Sequence, residues 1–377
     1  MWTFHNPVSV HAGAGSLDAL PQLLGERRAI LIAFPEAQAL GLVERLRGLL
    51  GNRLAAVETG VRPNPDVEWL APMYERLWRE HPDVECIIAL GGGSAIDCAK
   101  VMLSRTPTGR FDELLAWMDG TATPGAPAGE AHRRLLAIPT TAGTGSEVTP
   151  WATVWDQARG RKLSLQLPWT WPEAAIIDAS LMTSLPAAAT VASGLDALSH
   201  ALESLWNIHR NPVSAALAVS AARSIVATLP ALLEQPDSVW LRERLATAAL
   251  QAGLAFSNTR TALAHSLSYD ITLAHGVPHG IACSFSLPKI MALAAGRDAQ
   301  LDRQICEIFS SANLVEAAAS LSAFLESVGV STDPASYGIA PGEWDERVRH
   351  ALEGARGRNF IAPRQAHPLL STQPVTS

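Results

Sequence analysis

The chain has 377 residues, 48% hydrophobic and 17% charged, which excludes a disordered polymer and leaves room for two domains with separate cores. A formal net charge of −7 with scattered Lys and Arg excludes a nucleic-acid surface and points to a small-molecule partner. The sequence opens without a signal-peptide pattern, holds no uninterrupted apolar run of membrane-spanning length and forms no CxxC pair. Buried free thiols at Cys86, Cys98, Cys283 and Cys306 and a cytoplasmic location are therefore expected.

In chain order, Gly13-Ala14-Gly15-Ser16 reads as a strand-to-helix turn. RAILIAF (28–34), RLAAVE (53–58), VECIIAL (84–90), RLLAIP (134–139) and AAIID (174–178) are short, apolar and largely β-branched, so they read as strands. The segments 35–50, 66–81 and 94–105 between them carry helical periodicity. Strands and helices alternating at this spacing imply right-handed βαβ units in a mostly parallel sheet. The Pro/Gly/Ala stretch 121–132 reads as an exposed loop.

Two loops in this half suit a nucleotide. In VECIIALGGGSAIDCAK a buried strand runs into Gly91-Gly92-Gly93-Ser94 and a helix opens at once. Glycines let the backbone approach a pyrophosphate, and a helix N-terminus supplies unpaired N–H groups and the positive end of its dipole. The pattern is not GxGxxG, so an ordinary dinucleotide fingerprint does not follow. The second loop, Thr140-Thr141-Ala142-Gly143-Thr144-Gly145, follows another buried strand, where open α/β sheets bind ligands.

Near residue 185 the composition changes, and to about 330 the chain is Ala- and Leu-rich with helical periodicity. Pro186 and Pro212 mark helix starts. The division is thus an α/β domain over 1–185 and an all-helical domain over 186–377, whose last residues fray. In GLDALSHALES (194–204), Asp196 and His200 are four apart and share a helix face. With His265 and His279 downstream they make a set of one hard oxygen and three imidazoles, suited to Fe²⁺ or Zn²⁺.

Taken together, GGGSAIDCAK (91–100), IPTTAGTGSEVTPWATVWD (138–156), AAIIDASLMTSLP (174–186), GLDALSHALES and VPHGIACSFSLP (277–288) resemble the iron-dependent alcohol dehydrogenase family. The match runs in order to about residue 290 with agreeing spacings. The resemblance implies a Rossmann-like nucleotide domain followed by a helical metal domain, similar to dehydroquinate synthase, and a homodimer paired through the first domain's edge. It implies that Asp196, His200, His265 and His279 ligate the metal. It implies that Gly92, Gly93 and Ser94 hold the pyrophosphate of NAD(P)H, with Asp97 toward the nicotinamide. Thr140, Thr141 and Thr144 would line the nucleotide site, Lys162 approach the ribose or phosphates, and Asn64 of RPNPDVEW lie beside the cofactor.

Two departures from the family pattern bear on chemistry. Four residues after the third ligand the family commonly has His; here it is Tyr269, either a proton relay or a packing residue, with His275 as the nearest other imidazole. At the tip of the second strand, Phe34-Pro35 replaces the acidic residue that grips an adenosine ribose, which tilts the expectation to NADP(H). The sub-pattern NTRTALAHSLSYDIT (258–272) is similar to members that reduce phosphonoacetaldehyde to 2-hydroxyethylphosphonate. There Arg260 either binds a substrate anion or forms an ion pair. Alternatives on the same scaffold are a general short-chain alcohol dehydrogenase and a non-redox synthase. The synthase would need more Lys and Arg than 194–280 displays.

Overall fold

The computed structural model describes residues 1–124 and 132–362. Most of the 121–132 loop, and the tail expected to fray from 363 on, lie outside the described residues. Contacts divide the chain into two compact units: Asn6–Thr141 with Ser146–Met182, and Met1–His5 with Ala142–Gly145 and everything from Thr183.

The first unit contains β1 (Ser9–Ala12), β2 (Ala29–Ala33), β3 (Leu54–Glu58), β4 (Cys86–Gly91), β5 (Arg134–Pro139), β6 (Trp151–Asp156), β7 (Arg161–Gln166) and β8 (Ala174–Ile177). Six of these form one sheet in the order β1-β8-β5-β4-β2-β3, every pairing parallel. Full burial of β2 and β4 explains their unbroken apolar runs, since a parallel sheet is covered on both faces. Alternate residues feed two cores. Ile30, Ile32, Ile87 and Leu135 join one, and Leu31, Ile88, Leu136 and Ile138 the other.

The helices of this unit are α1 (Leu20–Leu24), α2 (Leu42–Leu50), α3 (Val67–Glu80), α4 (Gly93–Val101) and α5 (Phe111–Met118). The Asp66 side chain accepts from the Glu68 amide to start α3, and Leu70, Tyr74 and Leu77 form its buried stripe. A single helix over 35–50 is not what forms. A 3₁₀ turn at Pro35–Ala37 precedes α2, and Gly41 at φ 71 breaks the run between them. The periodicity reading also passed over β1, α5 and the antiparallel β6–β7 hairpin.

The second unit is helical: α6 (Ala187–Leu205), α7 (Pro212–Glu234), α8 (Val239–Thr259), α9 (Leu263–His275), α10 (His279–Ser284), α11 (Leu287–Ala294), α12 (Ala299–Phe309), α13 (Leu314–Ser327) and α14 (Pro341–Glu353). Pro186 is the residue before α6, and Pro212 opens α7 behind an Asn211–Ser214 capping box. α7 is long and apolar enough by length and composition to cross a membrane, although Ser214, Ser220, Arg223 and Ser224 interrupt it. Its buried Ala218, Ala222, Ile225 and Leu229 belong to the face packed on α6 and α8. α6 is buried on nearly every side, and that helix carries the first two candidate ligands.

Candidate metal centre and nucleotide loop

One helical turn separates Asp196 from His200 on α6, and both are buried. The first turn of α9 supplies His265, and the first residue of α10 is His279. The Nε2 atoms of His265, His200 and His279 lie 3.4, 3.9 and 3.9 Å from a single atom, Asp196 Oδ1. α10 can lie this close to α6 because its second residue is glycine: a methyl group on Gly280 would collide with the Ala192 carbonyl.

The atoms at this meeting point are poorly satisfied by the protein. Asp196 Oδ1 and His265 Nε2 are buried without a hydrogen-bond partner. Leaving such an atom unpaired costs roughly 1–3 kcal/mol, and two at one point among three imidazoles mark a place built for a cation. The residues therefore fit the divalent ion that the donor set calls for. Cys283, one turn beyond His279 on α10, also belongs here. Its Sγ is 3.5 Å from His279 Nε2, and the ligand atoms of Asp196, His265, His279 and Cys283 all lie within 4.8 Å of one another. His200 stands just outside that tightest group, stacked on Phe256 at 4.0 Å and on His265 at 4.5 Å.

Behind the cluster sits Glu203, fully buried on α6. It accepts from the Ala262 amide at 2.8 Å, the Ala264 amide at 2.5 Å and His265 Nδ1 at 2.7 Å. Donation of the Nδ1 proton to Glu203 leaves Nε2 of His265 free to bind metal. Burial alone would raise the Asp196 carboxyl, but His200 and the other imidazoles hold it below the usual carboxylate range. Burial pushes His200 down to about 4. Burial opposes charge on His265 too, yet Cys283, Asp196 and Glu203 together keep its imidazole well above the ordinary value.

Among the described residues, the cluster is most open at His279. Side-chain exposure is 2% at His265 and 6% at Asp196 and His200, but 31% at His279. On that side Tyr269 lies one turn after His265, its ring stacked 5.5 Å from the His279 ring at 13°. His275 ends α9 half-buried, with Nε2 2.6 Å from Glu343 Oε1, so it is not the solvent-exposed loop histidine expected. Arg260 follows α8 at φ 67 and ψ 173, a backbone conformation that strongly favours glycine. Its side chain is exposed and enters no ion pair or hydrogen bond among the described residues, while its carbonyl accepts from Asn207 Nδ2. Trp206 is core, with no exposure.

In the sheet unit the strand order reverses between β2 and β4, the place where open α/β sheets bind ligands. The glycine turn leaves β4 there. Gly91 has φ 150, and a Cβ on it would stand 2.7 Å from that of Ala95. Gly92 faces Thr141, and α4 opens at Gly93. Asn64, at φ 58, donates its amide to Ser94 Oγ at 3.2 Å. Asn64, Gly92, Gly93, Ser94 and Thr141 are thus one neighbourhood, and Thr140 joins it through its amide on the Gly91 carbonyl.

Asp97 is held within its own unit: its oxygens take the Ser146 hydroxyl at 2.6 Å and the Thr153 amide at 2.8 Å, a brace between α4 and the β6 segment. Buried Lys100 completes that brace, donating to Ser146 O, Ser146 Oγ and Trp151 O, and burial lowers its ammonium to about 8. Lys162 lies on β7, its Nζ 5.9 Å from the centre of the Trp155 ring. Thr144 belongs to the other unit, with Ala142–Gly145. There a Cβ on Gly143 would strike Ser193, and one on Gly145 would strike Gly253, so these glycines serve close packing on α6 and α8. Glu203 and Cys283 were passed over in the sequence. The available signals were an acid on the Asp196–His200 face of an apolar helix and a thiol four residues after a ligand.

The iron-containing alcohol dehydrogenase model matches residues 7–179, and the C-terminal model of the Fe-containing alcohol dehydrogenase family matches 190–368. An NADPH-dependent butanol dehydrogenase of Clostridium saccharobutylicum is 29% identical over 95% of this chain and 92% of its own length. An NAD-dependent methanol dehydrogenase of Bacillus methanolicus is 27% identical over 94% of each. Among solved structures, sulfoacetaldehyde reductase from Bifidobacterium kashiwanohense in complex with NAD⁺ superposes with a TM-score of 0.86 at 25% identity, covering 99% of this chain and 100% of that one. The chain belongs to the iron-containing alcohol dehydrogenase family and is an NAD(P)-dependent oxidoreductase of alcohols and aldehydes.

Proposed function

We propose that this enzyme reduces a small anionic aldehyde, with phosphonoacetaldehyde to 2-hydroxyethylphosphonate as the specific reaction and NADPH as the preferred donor. The observation that carries the chemistry is the set of three imidazole Nε2 atoms around one unpaired, buried Asp196 oxygen. Asp196, His200, His265 and His279 would hold the ion, Fe²⁺ or Zn²⁺, with Cys283 at its edge. When bound, that ion supplies Lewis-acid polarisation of the carbonyl, and the nicotinamide supplies the hydride.

The chain's own groups do the rest. Glu203 fixes the tautomer of His265. Tyr269, over the exposed face of His279, hands a proton to the product oxygen from its hydroxyl. The glycine turn and the N-terminus of α4 hold the pyrophosphate. Phe34 occupies the β2 tip, its ring 3.3 Å from where a Gly91 Cβ would stand, and the nearest acid in sequence, Glu36, comes two residues later in the 3₁₀ turn, which supports room for a 2′-phosphate. Arg260, with no acid partner among the described residues, is the sequence's candidate for the anion. The two-carbon anionic aldehyde in the name of the structural neighbour supports this class.

The butanol and methanol relatives support a second reading, a general short-chain alcohol dehydrogenase. A panel of neutral and anionic aldehydes, assayed with NADH and NADPH, separates the two. The first reading predicts preference for phosphonoacetaldehyde with NADPH; indifference to the anion leaves the second. Replacement of His265 or His279 by Ala should remove bound metal and turnover together, and turnover without metal would refute both. A homodimer through the edge of the parallel sheet belongs to the same proposal and is tested by sedimentation.

A further inference from the structure

Within the helical unit, several cations around α9 and α14 are matched by acids. Arg347 contacts Glu343 and Asp270, His275 bonds Glu343, and His350 lies 3.8 Å from Asp270. Arg349, Arg356 and Arg358 have no ion pair or side-chain hydrogen bond among the described residues, and of these Arg349 and Arg358 are exposed while Arg356, just after α14, is half-buried. It lies over the Tyr269 ring at 4.7 Å, and Tyr269 is stacked in turn on His279, the exposed edge of the metal cluster. Guanidinium, phenol and imidazole thus stand in series beside the exposed edge of the site.

The placement is built. The turn at Gly357–Asn359 is tied by Arg358 N to Gly354 O at 3.2 Å and Asn359 N to Arg356 O at 2.9 Å. A methyl on Gly357 would collide with the Ala351 carbonyl, so the turn is pressed onto α14. Asn359 Nδ2 then reaches the Thr261 carbonyl at 2.9 Å, joining the turn to the segment that leads from Arg260 to His265. A permanent charge on such a pedestal, whose partner among the described residues is a ring face, retains its capacity for a bidentate oxyanion.

The spans agree as well. The two stacking distances place the guanidinium within about 10 Å of the His279 ring centre. A two-carbon chain with a tetrahedral anionic head is about 5 Å long, and polar contacts of about 3 Å at its ends bridge the remainder.

We propose that Arg356 is the specificity-determining residue that binds the phosphonate or sulfonate head of a two-carbon aldehyde, through its guanidinium on the Tyr269 face. The inference rests on the reductase reading for its substrate and puts Arg356, in place of the sequence's candidate Arg260, behind its anion preference. Its test has two arms. In the kinetic arm, Arg356→Ala and Arg356→Lys are compared with the unaltered enzyme on phosphonoacetaldehyde, sulfoacetaldehyde and propionaldehyde. Loss of a buried charge partner predicts about 100-fold lower kcat/KM for both anionic aldehydes in Arg356→Ala, mostly in KM, with propionaldehyde within about threefold. Arg356→Lys should recover part of the loss.

In the binding arm, calorimetry follows 2-hydroxyethylphosphonate and 2-hydroxyethanesulfonate on the metal-loaded protein, independently of turnover. Both should bind the unaltered chain and Arg356→Lys, and not Arg356→Ala. Equal losses on charged and neutral aldehydes, or unchanged product binding in Arg356→Ala, would overturn the assignment. Arg356-dependent binding without any aldehyde reduction would instead uphold the anion site and sink the reductase reading. Retained propionaldehyde turnover and an unchanged melting temperature show that the variants fold.

Discussion

Replacing Glu203 by Gln changes one atom and should damage both stability and metal affinity. Oε2 accepts from the Ala262 amide and His265 Nδ1, and Oε1 from the Ala264 amide. A glutamine has one oxygen. Kept at the Oε2 position, it turns an NH₂ toward the Ala264 amide, donor against donor, and the reverse orientation strands two donors. One charge-assisted bond, worth about 1.5–3 kcal/mol, is lost, and at least one buried amide is left without an acceptor at about 1–3 kcal/mol. The metal-free variant should therefore be about 3–5 kcal/mol less stable. Metal affinity should fall about 10–100-fold, because His265 is no longer held with Nε2 free. Urea unfolding in chelator measures the first, and competitive titration with a metal indicator the second. Stability within about 1 kcal/mol and affinity within about twofold would show that Glu203 neither orients His265 nor holds the start of α9.

Three further outcomes follow from the same geometry. With cobalt in the site, a Cys283 thiolate 3.5 Å from His279 Nε2 should give a near-ultraviolet sulfur-to-metal charge-transfer band. Cys283→Ser should lack the band, and an identical spectrum would remove the thiol from the ligand shell. In the metal-free protein, burial holds His200 at about 4 against an ordinary 6.5, so the unfolded chain binds the extra proton between these values. The contribution is complete above 6.5 and is lost as pH falls toward 4, by up to about 3 kcal/mol. His200→Gln should flatten urea-derived stability between pH 7 and 4.5, and parallel curves would contradict this. Arg260→Gly should raise stability by about 1 kcal/mol, because the φ 67, ψ 173 backbone strains any side chain. An unchanged unfolding midpoint would show the strain to be absorbed elsewhere.

The parallel sheet was legible because burial on both faces leaves a strand no polar alternation, and β2, β4, β5 and β8 appear as apolar runs within two residues of their observed bounds. β1 was not legible. Its four residues, SVHA, sit largely exposed at the sheet edge and need the partner β8 to be recognised as a strand. The hairpin failed for a different reason. Trp151–Asp156 is followed by a 3₁₀ turn and a strand, Arg161–Gln166, whose alternation shows only once Leu163 and Leu165 are known to face inward.

The site divides the same way, between what chain spacing encodes and what packing creates. Asp196 and His200 share a helix face by arithmetic, and the Gly91-Gly92-Gly93 turn follows its strand directly, so both could be read locally. Arg356 could not: eighty-seven positions separate it from Tyr269, and nothing near it in sequence marks it apart from Arg358. The same limit applies to the intramolecular contacts of Asp97 and of the loop at Ala142–Gly145, which its polar and glycine content does not announce. A carboxylate that closes a brace on Ser146 and Thr153 looks, residue by residue, like one that faces a cofactor. Glycines that admit Ser193 and Gly253 look like glycines that admit a phosphate. Composition records that a backbone must be approached closely, and only the fold records by what.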